Sequence, residues 1–511
     1  MKSYNQFHYK SLPIPETHPR HLAVLGRLFG LGTADVERCR VLELGCATGG
    51  NIIPMAFHYP DAECVGIDLS ASQVEVGQQL INNLGLTNIE LHQGNILDLD
   101  NALGAFDYII AHGVYSWVPE PVREHLLKLS RLLLRPGGLV YISFNTLPGW
   151  HMRGTLRDFL LYACRDEKSD PDKLKKAGEE LGRLDRALGG LEALSAKYMR
   201  EEIRIAQSAD PSYLLYEHLA EENTPFLFTD FLNDTRCHGL RYLCDTELAT
   251  LFPATYGEAV ERELESIGDD MALEQWLDFV SNRNMRRSLL CRDDEPATEA
   301  LSLDAFSEFA FSTNLIPPEK ITISAEASLT LNQPDGTPVQ ISHPLTKMMV
   351  LEMIAAQPAF LSLGTLFPKA HQKLVSHGFE DYAEDYESCL MELFSLFSHR
   401  AIEASPQQIE CHNIRGDKPR ATALARAQSA SGAGFVTTAT HGDLEIDEAA
   451  RRLLTYLDGE HTLKQIVALF DQVQDSGSLQ SIAGNDADEN TFQLVQGLVD
   501  LFQRLGIVTY P

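Results

Sequence analysis

The sequence has no apolar run long enough to cross a bilayer, and its first residues contain neither an apolar core nor a small-residue cleavage site. These absences argue against a transmembrane span and a secretory signal peptide, so the cytoplasm is the expected location. The 9 cysteines are scattered and form no CxxC pair. Because zinc and redox sites use that short spacing, we expect reduced thiols and no metal site.

Basic residues are also scarce relative to acidic ones. The chain has 42 Lys and Arg against 72 Asp and Glu, which gives a formal net charge of −30. Such a surface repels phosphate backbones, so nucleic acid is not expected as the main partner. It would attract a cationic protein segment, although strong acidity also serves simply to keep a large protein soluble. A chain of 511 residues is too long for one core, so several domains are expected.

The clearest motif is VLELGCATGGN, at residues 41–51. It predicts a buried strand at 41–44, a tight turn at 45–50 and the start of a helix. Small residues let a ligand approach the backbone closely, and a dinucleotide could bind such a turn. Ala47, however, stands at the third position of the GxGxxG pattern, and Glu43 precedes the first glycine. A carboxylate there suits the cationic amino group of a methionine moiety better than a pyrophosphate. The turn's expected ligand contacts are Glu43, Gly45, Cys46, Ala47 and Gly49.

Further strands follow in the order that an open parallel sheet needs. They are predicted at 62–70, at 89–92, at 108–111 and after the Pro-Gly-Gly turn at 136–138. Asp68, near the end of the first of these strands, can accept both hydroxyls of a ribose. Asn95 could meet an adenine edge. Ligands of such sheets bind at the carboxyl ends of the strands, so the remaining expected cofactor contacts are Asp68, Leu69, Asn95, Ile96 and His112.

ELGCATGG, Asp68, FDYIIAHGV and LRPGG together resemble the class I S-adenosylmethionine-dependent methyltransferases. YNQFHYKSLPIPETHP, HGVYSWVP and FNTLPGW are similar to a narrower family, the rickettsial-type protein lysine methyltransferases. Those proteins carry a methyltransferase regulatory domain, which NTPFLFTDFLNDTRCHGLRYLCDTEL fits, and a C-terminal winged-helix-like domain. This sequence departs from the family at Asn5, where an acidic residue is expected, and at Phe144, where tyrosine is common. Neither departure touches the cofactor motifs, so both bear on the substrate.

The resemblance implies an α/β fold: a Rossmann-like seven-stranded methyltransferase sheet with a helical insertion, followed by two smaller mixed or winged-helix-like domains. It also implies S-adenosyl-L-methionine as cofactor, a protein substrate such as an outer-membrane or surface protein, and a homodimer formed through the insertion. The expected domains are an N-terminal arm or lid (1–35), the methyltransferase domain (36–150 with 216–295, the second part overlapping the regulatory region), the insertion (151–215), a middle domain (296–416), a linker (417–434) and the winged-helix-like domain (435–511).

Transfer to lysine requires a neutral amine, and aromatic faces stabilise a methylated cation. The expected acceptor-side residues are therefore Tyr115, Trp117 and Trp150, together with Asn145 at the end of the fifth strand. Each of the two tryptophans is also compatible with a place in the core. Tyr4 and Tyr9 are candidates for a lid. Two other readings remain open: a small-molecule methyltransferase, and a cofactor-binding regulatory protein that has lost catalysis.

Overall fold

The computed structural model describes residues 10–298, 300–379, 385–411, 416–472 and 487–510. At its centre lies a seven-stranded sheet. Its strands are β1 (Arg40–Leu44), β2 (Glu63–Asp68), β3 (Ile89–Gln93), β4 (Phe106–Ala111), β5 (Leu134–Asn145), β6 (Leu240–Asp245) and β7 (Met285–Arg292). Their order is β3-β2-β1-β4-β5-β7-β6, with β7 antiparallel to both of its neighbours. The predicted class I methyltransferase sheet is therefore confirmed.

Helices cover both faces of this sheet. The first are α1 (Pro19–Leu28), α2 (Ile52–His58), α3 (Ala71–Leu84) and α4 (Glu120–Leu133). The ends of α3 show why the chain turns where it does. Ser70 caps its first turn by accepting from the Gln73 N–H, and Gly85 ends it at φ 67°, which residues with a side chain rarely adopt. These short connections hold the carboxyl ends of the strands at one edge.

Two apolar cores lie on the two faces of the sheet, because alternate side chains of a strand point to opposite sides. Val41 packs on the face that carries α1, α2 and α3, whereas Leu42 and Leu44 pack on the face of α4. The first of these cores continues without interruption to Phe306 and Leu345 of the middle domain. The middle domain therefore shares its interior with the sheet.

The helical insertion follows β5. It comprises α5 (Gly149–Ala163), α6 (Asp170–Leu188), α7 (Leu194–Ser208) and the short α8 (Pro211–Tyr213), which leads into a π-helical turn at Leu214–His218. Leu156, Leu181 and Ile203 belong to a separate small core. The helical insertion that the resemblance implies is confirmed. The chain then returns to the sheet through α9 (Phe228–Cys237), α10 (Glu258–Leu264) and α11 (Asp270–Ser281).

The rest of the chain forms two smaller units. The middle one contains α12 (Leu303–Ser307), β8 (Ala310–Ser312), β9 (Leu329–Asn332), β10 (Pro338–Ile341), α13 (Pro344–Ala356), β11 (Leu361–Ser362), α14 (Leu363–Ser376), α15 (Tyr386–Ser398) and β12 (Glu403–Ser405). The C-terminal one contains β13 (Arg420–Ala421), α16 (Ala423–Ala430), β14 (Phe435–Thr437), β15 (Asp443–Glu445), α17 (Glu448–Tyr456), α18 (Leu463–Gln472), α19 (Ala487–Arg504) and β16 (Val508–Thr509).

One boundary prediction is wrong. Residues 417–434 are not a linker, because they contain β13 and α16, and Ala421 and Ala425 lie in the core of the C-terminal domain. Two other expectations cannot be compared, since Tyr4 and Tyr9 lie outside the described residues. Within the described ranges, no helix combines the length and apolarity needed to cross a bilayer.

Candidate functional site

The turn after β1 lies at the carboxyl edge of the sheet, and its small residues leave the backbone accessible to a ligand. Gly45 and Gly49 have φ of 79° and 77°, and Ala47 has φ of 50°. The N–H groups of Gly45 and Cys46 donate to the Ile67 carbonyl at 2.8 and 3.1 Å. A Cβ on Gly45 would lie 2.6 Å from a methyl carbon of Val114. Glycine is therefore required there, and the turn is anchored to the end of β2.

Glu43 lies buried directly beneath this turn. Its Oε1 accepts from Asn51 Nδ2 at 2.7 Å, and its Oε2 is buried with no hydrogen-bond partner among the described residues. Burial raises the pKa of Glu43 to about 7, against the opposing effect of the Asn51 hydrogen bond. A cation bound at the turn would favour the ionised carboxylate. The incompletely paired oxygen thus fits the ammonium group of a methionine moiety.

Asp68 closes the other side of the turn. Its Oδ2 accepts from the Ala47 N–H and its Oδ1 from the Ser70 N–H, both at 2.8 Å. Burial raises the pKa of Asp68, and these backbone donors oppose the rise. A carboxylate oxygen can accept more than one hydrogen bond, so both oxygens can also take hydroxyl donors. The arrangement fits the two ribose hydroxyls of S-adenosylmethionine.

The other predicted cofactor residues differ in exposure and in the contacts of their side chains. Leu69 is 46% exposed and offers an apolar surface, and Ile96 is half-buried in a 3-10 turn. Asn95 is exposed, but its Oδ1 accepts from the Leu97 N–H at 3.1 Å. The buried Cys46 side chain packs against β2, so only its backbone faces the turn.

His112 follows β4 and is held by the neighbouring strand. Its Nδ1 lies 2.9 Å from the Tyr141 hydroxyl, and the two rings stack. Burial, with a smaller effect from Arg287, lowers the pKa of His112 to about 3. The imidazole is therefore neutral at physiological pH and is a poor general base. Its position suits a residue that lines the site.

Two of the three predicted aromatics meet beyond β4 and β5. Trp117 and Trp150 pack edge to face, with ring centroids 5.8 Å apart and planes at 77°. Trp117 is half-buried, whereas Trp150 is buried and its Nε1 has no hydrogen-bond partner among the described residues. Trp150 lies in the first turn of α5, immediately after β5. The pair forms an aromatic corner at the edge of the sheet where the cofactor turn lies.

The structure places Tyr115 elsewhere. It is buried in the core on the α4 face, where its ring packs edge to face against Phe231 at 5.4 Å. Its hydroxyl donates to Asp234 Oδ2 at 3.1 Å. The ring and the hydroxyl are both used within the protein, so Tyr115 does not join the aromatic corner.

Asn145 ends β5 close to this corner. Its side-chain Nδ2 donates to Asn223 Oδ1 at 2.9 Å, and its backbone N–H donates to Ser116 Oγ at 2.8 Å. These contacts fix a buried amide between β5 and the segment before α9. One of the two amide hydrogens of Asn145 is therefore already engaged within the protein.

The Asn51 side chain contacts Glu43 but is not among the site residues that the sequence predicts. Its amide bonds Glu43 on one side, and on the other its Oδ1 lies 2.9 Å from His441 Nε2. The position of Asn51 directly after the glycine turn could have drawn attention to it. Nothing in the local sequence marks His441, which lies 390 positions further along the chain.

Three family models match separate parts of the chain. A methyltransferase domain matches residues 35–182, a predicted methyltransferase regulatory domain matches residues 210–292, and a PKMT C-terminal winged helix domain matches residues 417–502. These ranges cover the glycine turn, the return to the sheet and the C-terminal unit.

Rickettsial proteins are similar over nearly the whole chain. The uncharacterized protein RP789 of Rickettsia prowazekii is 30% identical over 506 residues, which cover 98% of this chain and 91% of the relative. The structure of PKMT2 from Rickettsia typhi superposes with a TM-score of 0.86 at 27% identity and covers 98% of this chain and 99% of its own. A second structure of PKMT2, in complex with AdoHcy, superposes with a TM-score of 0.85.

Proposed function

Since this chain belongs to the rickettsial PKMT-type family of class I S-adenosylmethionine-dependent methyltransferases, we propose that it methylates lysine side chains of a protein substrate. Methyl transfer from S-adenosylmethionine is the activity of the family. The lysine acceptor is supported by one observation above all, the aromatic corner that Trp117 and Trp150 form past the carboxyl ends of β4 and β5.

The donor is held by the turn and by two carboxylates. Glu43 acts on the methionine ammonium from beneath the turn, and Asp68 accepts from the ribose hydroxyls. The backbone of residues 45–49 lies against the ligand, Leu69, Asn95 and Ile96 flank the adenine, and His112 lines the site. The bound cofactor supplies a methyl group on a cationic sulfur, which loses its charge as the methyl departs.

The acceptor must arrive as a neutral amine. A free lysine has a pKa of about 10.4, so at neutral pH it must first lose a proton. Desolvation beside Trp117 and Trp150 lowers that pKa, because burial disfavours the charged form. The same aromatic faces stabilise the methylated cation. Asn145 helps to hold the acceptor in line, so catalysis consists mainly of alignment.

A macromolecular substrate agrees with the rest of the chain. The net charge of −30 favours a cationic protein segment over nucleic acid. The middle and C-terminal units then help to position an extended substrate, which by resemblance is an outer-membrane or surface protein. We place the reaction in the cytoplasm, where the unpaired cysteines would remain reduced.

The insertion also supports a homodimer. Several apolar side chains of α5 and of the region leading into α7 are exposed, among them Tyr162, Leu191 and Leu194, the last at 85%. Exposed apolar residues grouped on a small helical unit favour association. Light scattering after size exclusion should give twice the 56.9 kDa of the chain. Leu194→Glu should lower that mass, whereas a monomeric wild type would contradict the dimer.

The test of the function is a labelling experiment. The purified protein is incubated with methyl-labelled S-adenosylmethionine and a host lysate, and the protein and small-molecule fractions are separated. Label on a protein band that maps to lysine, and that is lost with Asp68→Ala, supports the proposal. Label found only in the small-molecule fraction would mean a small-molecule methyltransferase. Cofactor binding without any transfer would favour a regulatory protein.

A further inference from the structure

The buried amide of Asn51 joins the cofactor turn to the N-terminal segment. Asn51 is 3% exposed, and its Nδ2 donates to Glu43 Oε1 at 2.7 Å and to Thr17 Oγ1 at 2.9 Å. Its Oδ1 accepts from the Ile14 N–H at 2.8 Å. A backbone N–H can only donate, so the oxygen of the amide must face Ile14 and the nitrogen must face Glu43.

His441 of the C-terminal domain completes this set of contacts. Its Nε2 lies 2.9 Å from Asn51 Oδ1, and the imidazole is only 1% exposed. Because Oδ1 can only accept, Nε2 must carry the proton. Burial, reinforced by His58 and Arg20, lowers the pKa of His441, so the ring is neutral with its proton on Nε2.

The backbone of His441 adopts an unfavourable conformation. The residue lies between β14 and β15 at φ 68°, a conformation that non-glycine residues seldom adopt. Its backbone N–H donates to the Thr438 carbonyl at 3.1 Å, and its ring packs 4.7 Å from the ring of His18. A non-glycine residue kept in this conformation and buried at a domain boundary points to a role for its side chain.

A second contact fixes this loop against the N-terminal helix. The buried Arg20 of α1 donates to the Thr440 carbonyl at 3.1 Å and pairs with Glu403 of the middle domain at 3.2 Å. Its guanidinium also lies over the ring of Phe360, 4.5 Å from the centroid. Thr440, the residue before His441, thus fixes this loop against α1.

We propose that His441 is a positioning residue for the methyl donor: its Nε2–H orients and polarises the Asn51 amide, which holds the Glu43 carboxylate beneath the ammonium group. The inference rests on the role assigned to Glu43 in the proposed function. It gives the C-terminal domain a part in donor binding, separate from any part in substrate recruitment. The bond acts through Asn51, so His441 itself does not touch the ligand.

The test compares two ligands that differ only at the end that Glu43 would sense. S-adenosylhomocysteine carries the ammonium group, whereas 5′-methylthioadenosine lacks the amino-acid moiety. His441→Asn tolerates the positive φ, but its amide is too short to reach Asn51. We expect it to weaken S-adenosylhomocysteine binding by about fivefold or more, with methylthioadenosine binding unchanged within about twofold.

Rescue and control variants separate positioning from damage to the fold. In His441→Gln the side-chain amide can reach the place of Nε2, so binding should return toward the wild-type affinity. His461→Ala removes a half-buried histidine of the same domain, paired with Asp458, and should change neither ligand's affinity. If the His441→Asn protein does not fold, His441→Gly is used in its place, because glycine adopts the positive φ without strain.

Three results would overturn the inference. The first is unchanged S-adenosylhomocysteine affinity in His441→Asn. The second is an equal loss of affinity for both ligands in that variant, because it would mean that His441 only supports the fold. Glu43→Gln supplies the third: if it leaves S-adenosylhomocysteine binding intact, the role of Glu43 fails and the inference fails with it. If the first result is accompanied by a loss of binding in Glu43→Gln, the inference about His441 fails while the role of Glu43 stands.

Discussion

Trp117 and Trp150 meet edge to face at 5.8 Å although they follow different strands of the sheet. Each lies just past a strand, Trp117 in the 3-10 turn after β4 and Trp150 in the first turn of α5 after β5. Neighbouring parallel strands bring such positions together at the carboxyl edge, where ligands of these sheets bind. The pair is therefore the part of the acceptor side that is most open to test.

Trp117→Phe and Trp150→Phe should lower kcat/KM for methyl transfer by about tenfold, because a smaller ring gives a weaker cation–π contact and a poorer barrier to water. Affinity for S-adenosylhomocysteine should stay within about twofold. Initial rates with the labelled donor and calorimetric binding measure the two effects. Trp276→Phe, on the exposed face of α11, is the matched control and should change neither.

Tyr115→Phe should leave the methyl-transfer rate within about twofold, because its hydroxyl serves the core. Loss of the hydrogen bond to Asp234 should lower the free energy of unfolding by about 1 kcal/mol. Denaturant titration and the labelled-donor assay provide both values. A rate loss as large as that of the tryptophan variants would return Tyr115 to the acceptor side.

Asp68→Asn should weaken S-adenosylhomocysteine binding by about tenfold or more, because the amide replaces one carboxylate acceptor with a donor. The Ala47 N–H and the ribose would then compete for fewer lone pairs. Calorimetric titration measures the affinity, and the melting temperature checks the fold. Asp61→Asn, at an exposed position just before β2, serves as control. Equal affinity in both variants would remove Asp68 from the site.

Donor binding should depend on pH through Glu43. Its pKa is about 7 in the free protein, so the carboxyl is mostly protonated below that pH and must lose its proton to meet an ammonium group. Affinity for S-adenosylhomocysteine should therefore rise with pH, by up to about tenfold per unit below 7, and level off above it. Calorimetry in two buffers of different ionisation enthalpy should detect proton release below pH 7.

The matched variant for that profile is Glu43→Gln, which cannot ionise. Its affinity should be lower than that of the wild type above pH 7 and should vary little with pH. A wild-type curve as flat as that of the variant would show that Glu43 does not act on the ligand's charge.

Arg286→Leu should destabilise the protein by about 3–5 kcal/mol, because it removes a fully buried cation from a cluster of buried carboxylates. Arg283 still pairs with Asp245 and Asp278, whereas Glu274 loses its ion pair with Arg286. Arg286 is fully buried, pairs with Asp245, Glu274 and Asp278, and lies 3.7 Å from the ring centroid of Phe228. Denaturant unfolding gives the difference. The exposed Arg204, paired with Glu201, supplies the comparison, and Arg204→Leu should leave the free energy of unfolding nearly unchanged.

Local patterns predicted most of the sheet correctly. Buried apolar segments predicted β1 to β5 in order, and the glycine turn and Asp68 lie together as their spacing suggested. The structure places Tyr115 away from Trp117 and Trp150 for a simple reason. A 3-10 turn directs successive side chains to different sides, and the sequence does not reveal whether Tyr115 or Trp117 faces the core.

Composition misled the prediction at residues 417–434. Alanine and serine are compatible with a flexible loop, but Thr422 caps α16 by accepting from the Ala425 N–H at 3.2 Å, and the helix packs on its domain. The contact of His441 with Asn51 was beyond reach for another reason. It joins residues 390 positions apart, and only the docking of a whole domain brings them together.

The continuous interior between the sheet and the middle domain has a consequence for how this protein can change. Family models divide the sequence into modules, yet the core beneath α1 on one face of the sheet continues into the residues around Phe306. In the part of the chain that the structure describes, one apolar core therefore joins the methyltransferase sheet to the middle domain. Separating the two parts at a sequence boundary would expose apolar side chains of this shared core to water, which is unfavourable.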